Sequence, residues 1–311
     1  MPPGDPAPYS GRFAPSPTGP LHFGSLLAAV ASYLQARTQA GRWLLRIEDI
    51  DPPRAQPGAA DAIVAALDRY GFEWDGPVSF QSRSRERHAA ALQALRDAGH
   101  AYPCGCSRST LANGVHGRLG IVYPGTCRSG CDAKQTAMRV KTDNVPVTFV
   151  DALQGPQSQR LESDSGDFII WRRDGLVAYH LAVVVDDFEQ GITEVARGID
   201  LMNSTPRQIW LQRLLQYPSP RYLHIPVAIN AAGEKLSKST GAGEVSLTGI
   251  SKTLVLALNV LGQRPPPDLG SARPKAIWAW AREHWQVDVL RGKTEIPVAG
   301  NPMACTGNRL S

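Results

Sequence analysis

Apolar residues fall at helical spacing in several stretches of the chain, and in short continuous runs between them. After Gly24, SLLAAVASYLQARTQAG sets Leu26, Leu27, Val30, Tyr33 and Leu34 on one helical face and stops at Gly41, a residue suited to a left-handed cap. GAADAIVAALDRYG repeats the pattern through Ile63, Leu67 and Tyr70, and SRERHAAALQALRDAG does so through Leu92 and Leu95, each closing on glycine. RWLLRI reads as a buried strand, and LAVVVDD (181–187) and HIPVAI (224–229) are two further predicted strands. Another is predicted to end at Phe13 or Ala14, with a helix starting near Gly24. Helices of this length between short strands predict βαβ units and a parallel sheet. Residues 103–165, rich in Gly, Ser, Cys and Gln, interrupt the alternation as an insertion would, and no internal repeat is visible. RPPPDLG reads as a linker and IWAWAREHW as an amphipathic helix, while the end from residue 291 is expected to be disordered.

Composition narrows the class. With 311 residues, 42% hydrophobic and 20% charged, the chain can bury a large core as one globular body of two or three subdomains. No stretch reaches the roughly eighteen apolar residues of a membrane helix. The opening MPPGDPAPYS lacks the basic start and apolar centre of an export signal, so a cytoplasmic protein without membrane attachment is expected. A net charge of +5 fits a polyanionic partner such as nucleic acid, although a mild basic excess is common. Four of the five cysteines fall between 104 and 131, which in a reducing compartment reads as metal ligation before disulfide.

Two segments carry candidate chemistry. GRFAPSPTGPLHFGSL (11–26) joins a strand to a helix through a rigid turn, the geometry in which free helical N–H groups bind phosphate. Gly19 and Gly24 would leave room for a ligand to approach the backbone. His22 is either a catalyst or a packed, capping residue. NAAGEKLSKSTG (230–241) sets Lys235 and Lys238 in a Gly- and Ser-rich loop, where two mobile charges can close on a polyphosphate or simply face solvent.

Together these segments resemble one family. PLHFG is similar to the histidine-glycine motif, and KLSKS to the lysine-serine loop, of class I aminoacyl-tRNA synthetases. RFAPSPTGPLHFGSL, RIEDIDPPR, DGLVAYHLAVVVDD, RGIDLMNSTPRQ and KLSKS, in that order from about residue 11 to 245, resemble its glutamyl branch. Ser25 stands where many class I enzymes carry a second histidine, as is usual in glutamyl-type members, so His22 alone is carried over. The resemblance implies an α/β fold: a Rossmann-like doubly wound parallel sheet with a zinc-containing insertion and a small C-terminal helical region. Residues 11–102 and 166–245 would be the two halves of the catalytic domain, 103–165 the zinc-binding, RNA-contacting insertion, and 246–311 the helical region and tail. Only 72 residues follow Ser239, too few for the anticodon-reading domain of a full glutamyl-tRNA synthetase. This shortened form resembles the paralogous group that attaches glutamate to queuosine in the anticodon of tRNA(Asp).

The chemistry implied is attack of L-glutamate on the α-phosphorus of ATP, in which positioning and charge neutralisation supply the catalysis. By resemblance His22, Lys235 and Lys238 are catalytic, and His22, Gly24 and Lys238 hold ATP, which brings Mg2+. Glutamate has two carboxylates and an ammonium, so its site needs cations and one fixed anion. The resemblance assigns Arg12 and Arg197 to the carboxylates and Glu48 to the ammonium. Hydroxyls of Tyr179 and Ser16 and the backbone near Ala14 complete the pocket. RIEDID could equally be a solvated strand end and Tyr179 a core aromatic. Asp186 and Asp187 are set near the ATP site and left outside this group.

For the cysteines, chemistry alone favours Cys104, Cys106, Cys127 and Cys131 around tetrahedral zinc. The family pattern, Cys-x-Cys followed by Tyr-x-x-x-Cys, instead implies Cys104, Cys106, Tyr123 and Cys127 around one structural Zn2+, with Cys131 as competitor and metal-free thiols as a third reading. Arg108, Arg118 and Arg128 are candidates for RNA contact. A monomer is expected. Two other functions fit part of the pattern: a shortened glutamyl-tRNA synthetase charging a tRNA 3′ end, and a non-catalytic tRNA-binding relative. The latter gives no reason for Arg12, His22, Lys235 and Lys238 to occur together.

Overall fold

The computed structural model describes residues 8–230, 232–236 and 244–298; Lys238 and Cys305 lie outside them. The first elements are β1 (Ser10–Phe13), α1 (Phe23–Arg37), β2 (Arg42–Ile47), α2 (Ala59–Arg69), β3 (Ser79–Phe80) and α3 (Arg85–Asp97). Next come β4 (Ala101–Cys104), α4 (Arg108–Leu111), β5 (His116–Gly117), β6 (Gly120–Ile121), β7 (Ala137–Val140), β8 (Val147–Asp151), β9 (Gly155–Gln159), α5 (Leu161–Asp164) and β10 (Phe168–Trp171). The rest are α6 (Tyr179–Glu189), β11 (Glu194–Gly198), α7 (Thr205–Leu215), β12 (Arg221–Ile225), β13 (Val227–Ile229), α8 (Ile250–Val260), α9 (Pro274–His284) and β14 (Glu295–Pro297).

Strands β1, β2 and β3 pair in parallel, as do β11 and β12. The two groups meet where the Thr193 amide, just ahead of β11, donates to the Ser10 carbonyl at 2.8 Å. From this seam the chain order runs outward in both directions, the strand-order reversal of a doubly wound sheet. Helices cover both faces. Trp43, Leu45 and Ile47 of β2 pack with α1, α8 and α9, whereas Leu44 joins α3, α6 and α7 on the other side. Burial of both faces is why RWLLRI reads as an unbroken apolar run. Residues 101–171 form the antiparallel sheet β10–β7–β4 and the hairpin β8–β9, which reaches the main sheet through Tyr222 opposite Asp151; sheet β10–β7–β4 thus extends beyond the expected 103–165 on both sides.

Several expectations are corrected. LAVVVDD is not a strand but the centre of α6, and every residue from Leu181 to Asp187 is buried. A helix enclosed on all sides shows no apolar stripe, so its sequence cannot be told from a buried strand. Gly41 is not a left-handed cap. α1 stops at Arg37, Ala40 takes the positive φ of 50°, and Gly41 is small for another reason: an added Cβ would lie 2.5 Å from the Tyr9 ring. HIPVAI is split at Pro226 between β12 and β13. The RPPPDLG linker holds a 3-10 turn at Pro267–Ser271 whose Leu269 packs on the core. The end from 291 is ordered as far as 298, because β14 pairs with β13 and Val298 is buried. The amphipathic helix is α9, with Ile277, Trp278 and Ala281 buried. Among the described residues no helix is long and apolar enough to cross a membrane.

Candidate active site

The seam between β1 and β11 opens into a cavity of about 320 Å³, within the range of small-molecule sites and at the switch point where open α/β sheets bind ligands. Its walls bring together Arg12, Ala14, Ser16, His22, Gly24, Glu48, Tyr179, Arg197 and Lys235. The strand ends supply the two arginines, the turn after β1 supplies Ala14 and Ser16, and the first turn of α1 supplies His22 and Gly24. Lys238 lies outside the described residues.

Both arginines are buried and held from behind. Arg12 donates through Nε and Nη2 to Asp187 Oδ1 and Oδ2 at 3.1 and 3.4 Å. Arg46 of β2 donates to the same Asp187 at 2.7 Å and to Glu48 Oε1 at 3.3 Å. Two guanidiniums and two carboxylates thus form a charge-balanced buried group. Burial opposes ionisation of Asp187, but Arg12 and Arg46 hold its pKa below the usual range. Glu48, for which burial outweighs Arg46 and Arg12, lies above it. A cationic ligand beside Glu48 would therefore favour its anion.

Arg197 is held differently. Its Nη2 donates to Thr205 Oγ1 at 2.7 Å and its Nε meets His224 Nε2 at 3.0 Å. A guanidinium can only donate, so Nε2 is the acceptor and the His224 proton sits on Nδ1, facing Asp151 Oδ2 at 2.6 Å. Burial lowers the His224 pKa against the pull of Asp151, which keeps the ring neutral. Arg197 Nη1 is left buried without a hydrogen-bond partner. An orphaned guanidinium donor in a cavity wall suits a ligand carboxylate.

His22 is the N-cap of α1: its Nδ1 accepts from the Ser25 amide at 3.2 Å, and Nε2 lies 2.8 Å from Ser25 Oγ. Capping and lining the cavity coincide in one residue. The room at Gly24 is already used by protein, since an added Cβ would lie 2.9 Å from the Leu236 carbonyl oxygen. This close approach seats the lysine loop against α1. Lys235 Nζ pairs with Asp200 Oδ2 at 2.6 Å on the half-exposed rim.

Sequence reasoning missed the residues behind the arginines. The sequence gives Asp187 no role beyond nearness to ATP, yet it anchors Arg12. Reading 181–187 as a strand hid this. On a helix, adjacent residues point about 100° apart, so Asp186 turns instead to His88 at 3.0 Å and Gln81 at 2.8 Å. Asp151 and His224 carried no motif signal.

In the insertion, Cys104, Cys106 and Cys127 gather their sulfurs within 4.8 Å of one another and could hold a metal ion. Tyr123 Oη lies 3.3 Å from Cys104 Sγ and 3.8 Å from Cys106 Sγ, and Cys106 and Cys127 are 3.6 Å apart. Zn–S bonds of about 2.3 Å in a tetrahedron put sulfurs roughly 3.8 Å apart, so this donor set fits one ion. Cys131 does not join the group; it packs beside Gly105. Arg139 donates to Cys104 Sγ at 3.2 Å and stacks 3.8 Å from the Tyr123 ring centre. Arg128, an RNA-contact candidate, is committed internally: it bonds Asp167 at 2.6 and 2.7 Å and the Thr142 carbonyl at 2.9 Å.

Residues 10–253 match the family of tRNA synthetases class I (E and Q), catalytic domain, and the chain belongs to that family. Among curated relatives, the glutamyl-Q tRNA(Asp) synthetase of Dechloromonas aromatica is 55% identical, covering 91% of this chain and 96% of its own. Those of Aromatoleum aromaticum (51%; 91% and 91%) and Pseudomonas putida (48%; 94% and 97%) are similar. A glutamate tRNA ligase from Elizabethkingia meningosepticum, solved in complex with its amino acid, has a TM-score of 0.79 at 21% identity over 95% of this chain and 68% of that one. That likeness shows the fold.

Proposed function

We propose that the chain is a ligase that activates L-glutamate with ATP and transfers it to queuosine in the anticodon of tRNA(Asp). The observation that carries the reading is the orphaned Arg197 Nη1 in a cavity shared with Arg12 and Glu48. Two cations and one fixed anion match the two carboxylates and the ammonium of glutamate. Tyr179 and Ser16 add hydroxyls, and Ala14 adds backbone. His22 and the first turn of α1 face the phosphates from one side, where the helix dipole favours negative charge. Lys235 and Lys238 close from the other. A glutamate carboxylate oxygen attacks the α-phosphorus, and the bond to pyrophosphate breaks. An RNA hydroxyl then attacks the acyl carbon, and AMP leaves with the bonding pair. No side chain acts as nucleophile; the protein supplies positioning and charge, with Mg2+ accompanying the nucleotide.

Cys104, Cys106, Tyr123 and Cys127 would hold one Zn2+, which would cross-link the insertion. Relatives named glutamyl-Q tRNA(Asp) synthetase support a tRNA-modifying role, which in this reading is exercised in the cytoplasm by a monomer. The test is glutamate-dependent exchange of pyrophosphate into ATP, followed by mapping labelled glutamate on tRNA(Asp). Label on queuosine-containing anticodon fragments is expected. Label on the 3′ terminal adenosine would make the chain a shortened glutamyl-tRNA synthetase, and no exchange would make it a binder.

A further inference from the structure

Arg207 is unlike the other arginines near the site. Arg12, Arg46, Arg128 and Arg197 are each hydrogen-bonded to a carboxylate, a histidine or a hydroxyl. Arg207 Nε is buried without a hydrogen-bond partner, no carboxylate among the described residues pairs with it, and its guanidinium lies 5.8 Å from the Phe168 ring centre. It also stands in the first turn of α7, where the helix dipole disfavours a cation. Burial pulls its pKa down. A cation kept under these conditions suits an anionic partner from outside.

The groove it lines has the matching features. Arg108 of α4 lines it too and forms no ion pair among the described residues. Asp167 is the one carboxylate among its lining residues, and that group already accepts bonds from Arg128, Tyr102 and the Thr142 amide, so it does not compensate Arg207. Ile121 and Ile169 add exposed apolar surface, 38% and 37% accessible. The Phe168 ring leans on His180, whose neighbour Tyr179 lines the glutamate cavity. An anion site beside apolar surface, joined to the cavity wall through the edge-on Phe168–His180 contact and Tyr179, fits a phosphate with its unstacked base better than a duplex, whose base faces are covered.

We propose that this groove docks a single-stranded RNA loop, with Arg207 and Arg108 on its phosphates and Ile121 and Ile169 against a splayed base. The proposal rests on the reading that the acceptor is an RNA. The test titrates a queuosine-containing anticodon stem-loop of tRNA(Asp) into the full chain, by fluorescence anisotropy, at several salt concentrations. Arg207→Met keeps an unbranched side chain of similar reach and removes the charge. It is expected to weaken binding roughly tenfold and to reduce the slope of log K against log salt by about 0.7. Arg207→Lys should recover part of both, and Arg108→Ala should lower the slope again. A variant melting temperature at or above that of the parent is expected, since an unpaired, partly buried cation is removed from the first turn of α7. Unchanged affinity and slope in Arg207→Met, or a marked fall in its melting temperature, would overturn the assignment. If the parent protein itself fails to bind the stem-loop, the RNA-acceptor reading falls, and the groove with it.

Discussion

Asp187→Asn removes one charge with little change of shape, which isolates the electrostatics beneath the cavity. Arg12 and Arg46 are balanced by Asp187 and Glu48, with side chains between 1% and 8% exposed. The substitution leaves two guanidiniums facing one carboxylate in a site water barely reaches. Breaking one partner of a buried pair costs about 3–5 kcal/mol. At roughly 2 °C per kcal/mol for a chain of this size, the melting temperature should fall by about 6–10 °C. Arg12 also loses one of the two bonds that fix its plane, because the new carboxamide NH2 cannot accept, so the KM for glutamate in pyrophosphate exchange should rise about tenfold. The kcat should move less, because in the proposed site Arg12 would bind the amino acid in ground and transition states alike. Adding Arg46→Met restores the charge balance and should recover part of the lost stability. A melting temperature within 2 °C of the parent, with unchanged KM, would refute the claim that Asp187 holds Arg12.

Other outcomes follow from the same structure. Elemental analysis should find one zinc per chain, lost in Cys104→Ser and kept in Cys131→Ser; loss in the latter would move the fourth ligand from Tyr123 to Cys131. Burial lowers the pKa of both His180, to about 3 with help from Arg207 and Arg197, and His224. Below the ordinary histidine value of 6.5 the unfolded chain therefore binds more protons than the folded one. Stability is full above that value and should fall as the pH drops through it. Equal melting temperatures at about pH 7.5 and pH 5 would contradict this. Lys238→Ala should slow adenylate formation by roughly one to three orders of magnitude with little change in glutamate KM; near-normal exchange would take the loop out of the mechanism.

The parts legible in the sequence were those with local signatures. The turn from β1 into α1, the buried β2 and the Cys-x-Cys of the insertion each carry their chemistry within a few neighbouring residues. The second core layer was not legible, because α6 is apolar on every side and its helical period leaves no mark. The error propagated. A strand would turn Asp186 and Asp187 to opposite faces, whereas on the helix one reaches His88 and the other Arg12. His224 and Asp151 were hidden for another reason: they are 73 residues apart and meet only because the β8–β9 hairpin docks on the edge of β12. Ala40 rather than Gly41 takes the left-handed backbone because the glycine is needed against Tyr9, a contact that turn chemistry alone does not reveal.

The two cavity arginines show how differently one charge can be anchored. Arg12 shares its positive charge with a full carboxylate, Asp187, and with the neighbouring Glu48. That fixes its geometry and spends part of its field inside the protein. Between Arg197 and Asp151 stands the neutral His224, which accepts from Nε and passes the proton-bearing side of its ring to the acid. Direction is therefore fixed while the guanidinium charge is not cancelled by an adjacent anion. With Nη1 also unpartnered, Arg197 presents the larger uncompensated field to the cavity. If, as proposed, this cavity holds glutamate, one of whose two carboxylates becomes the nucleophile, the asymmetry has a use. In the proposed site, a carboxylate set against Arg197 would be strongly neutralised and suited to stay bound. The reacting carboxylate needs the weaker partner, since an oxygen whose electron pair is tied to an uncompensated cation attacks phosphorus poorly.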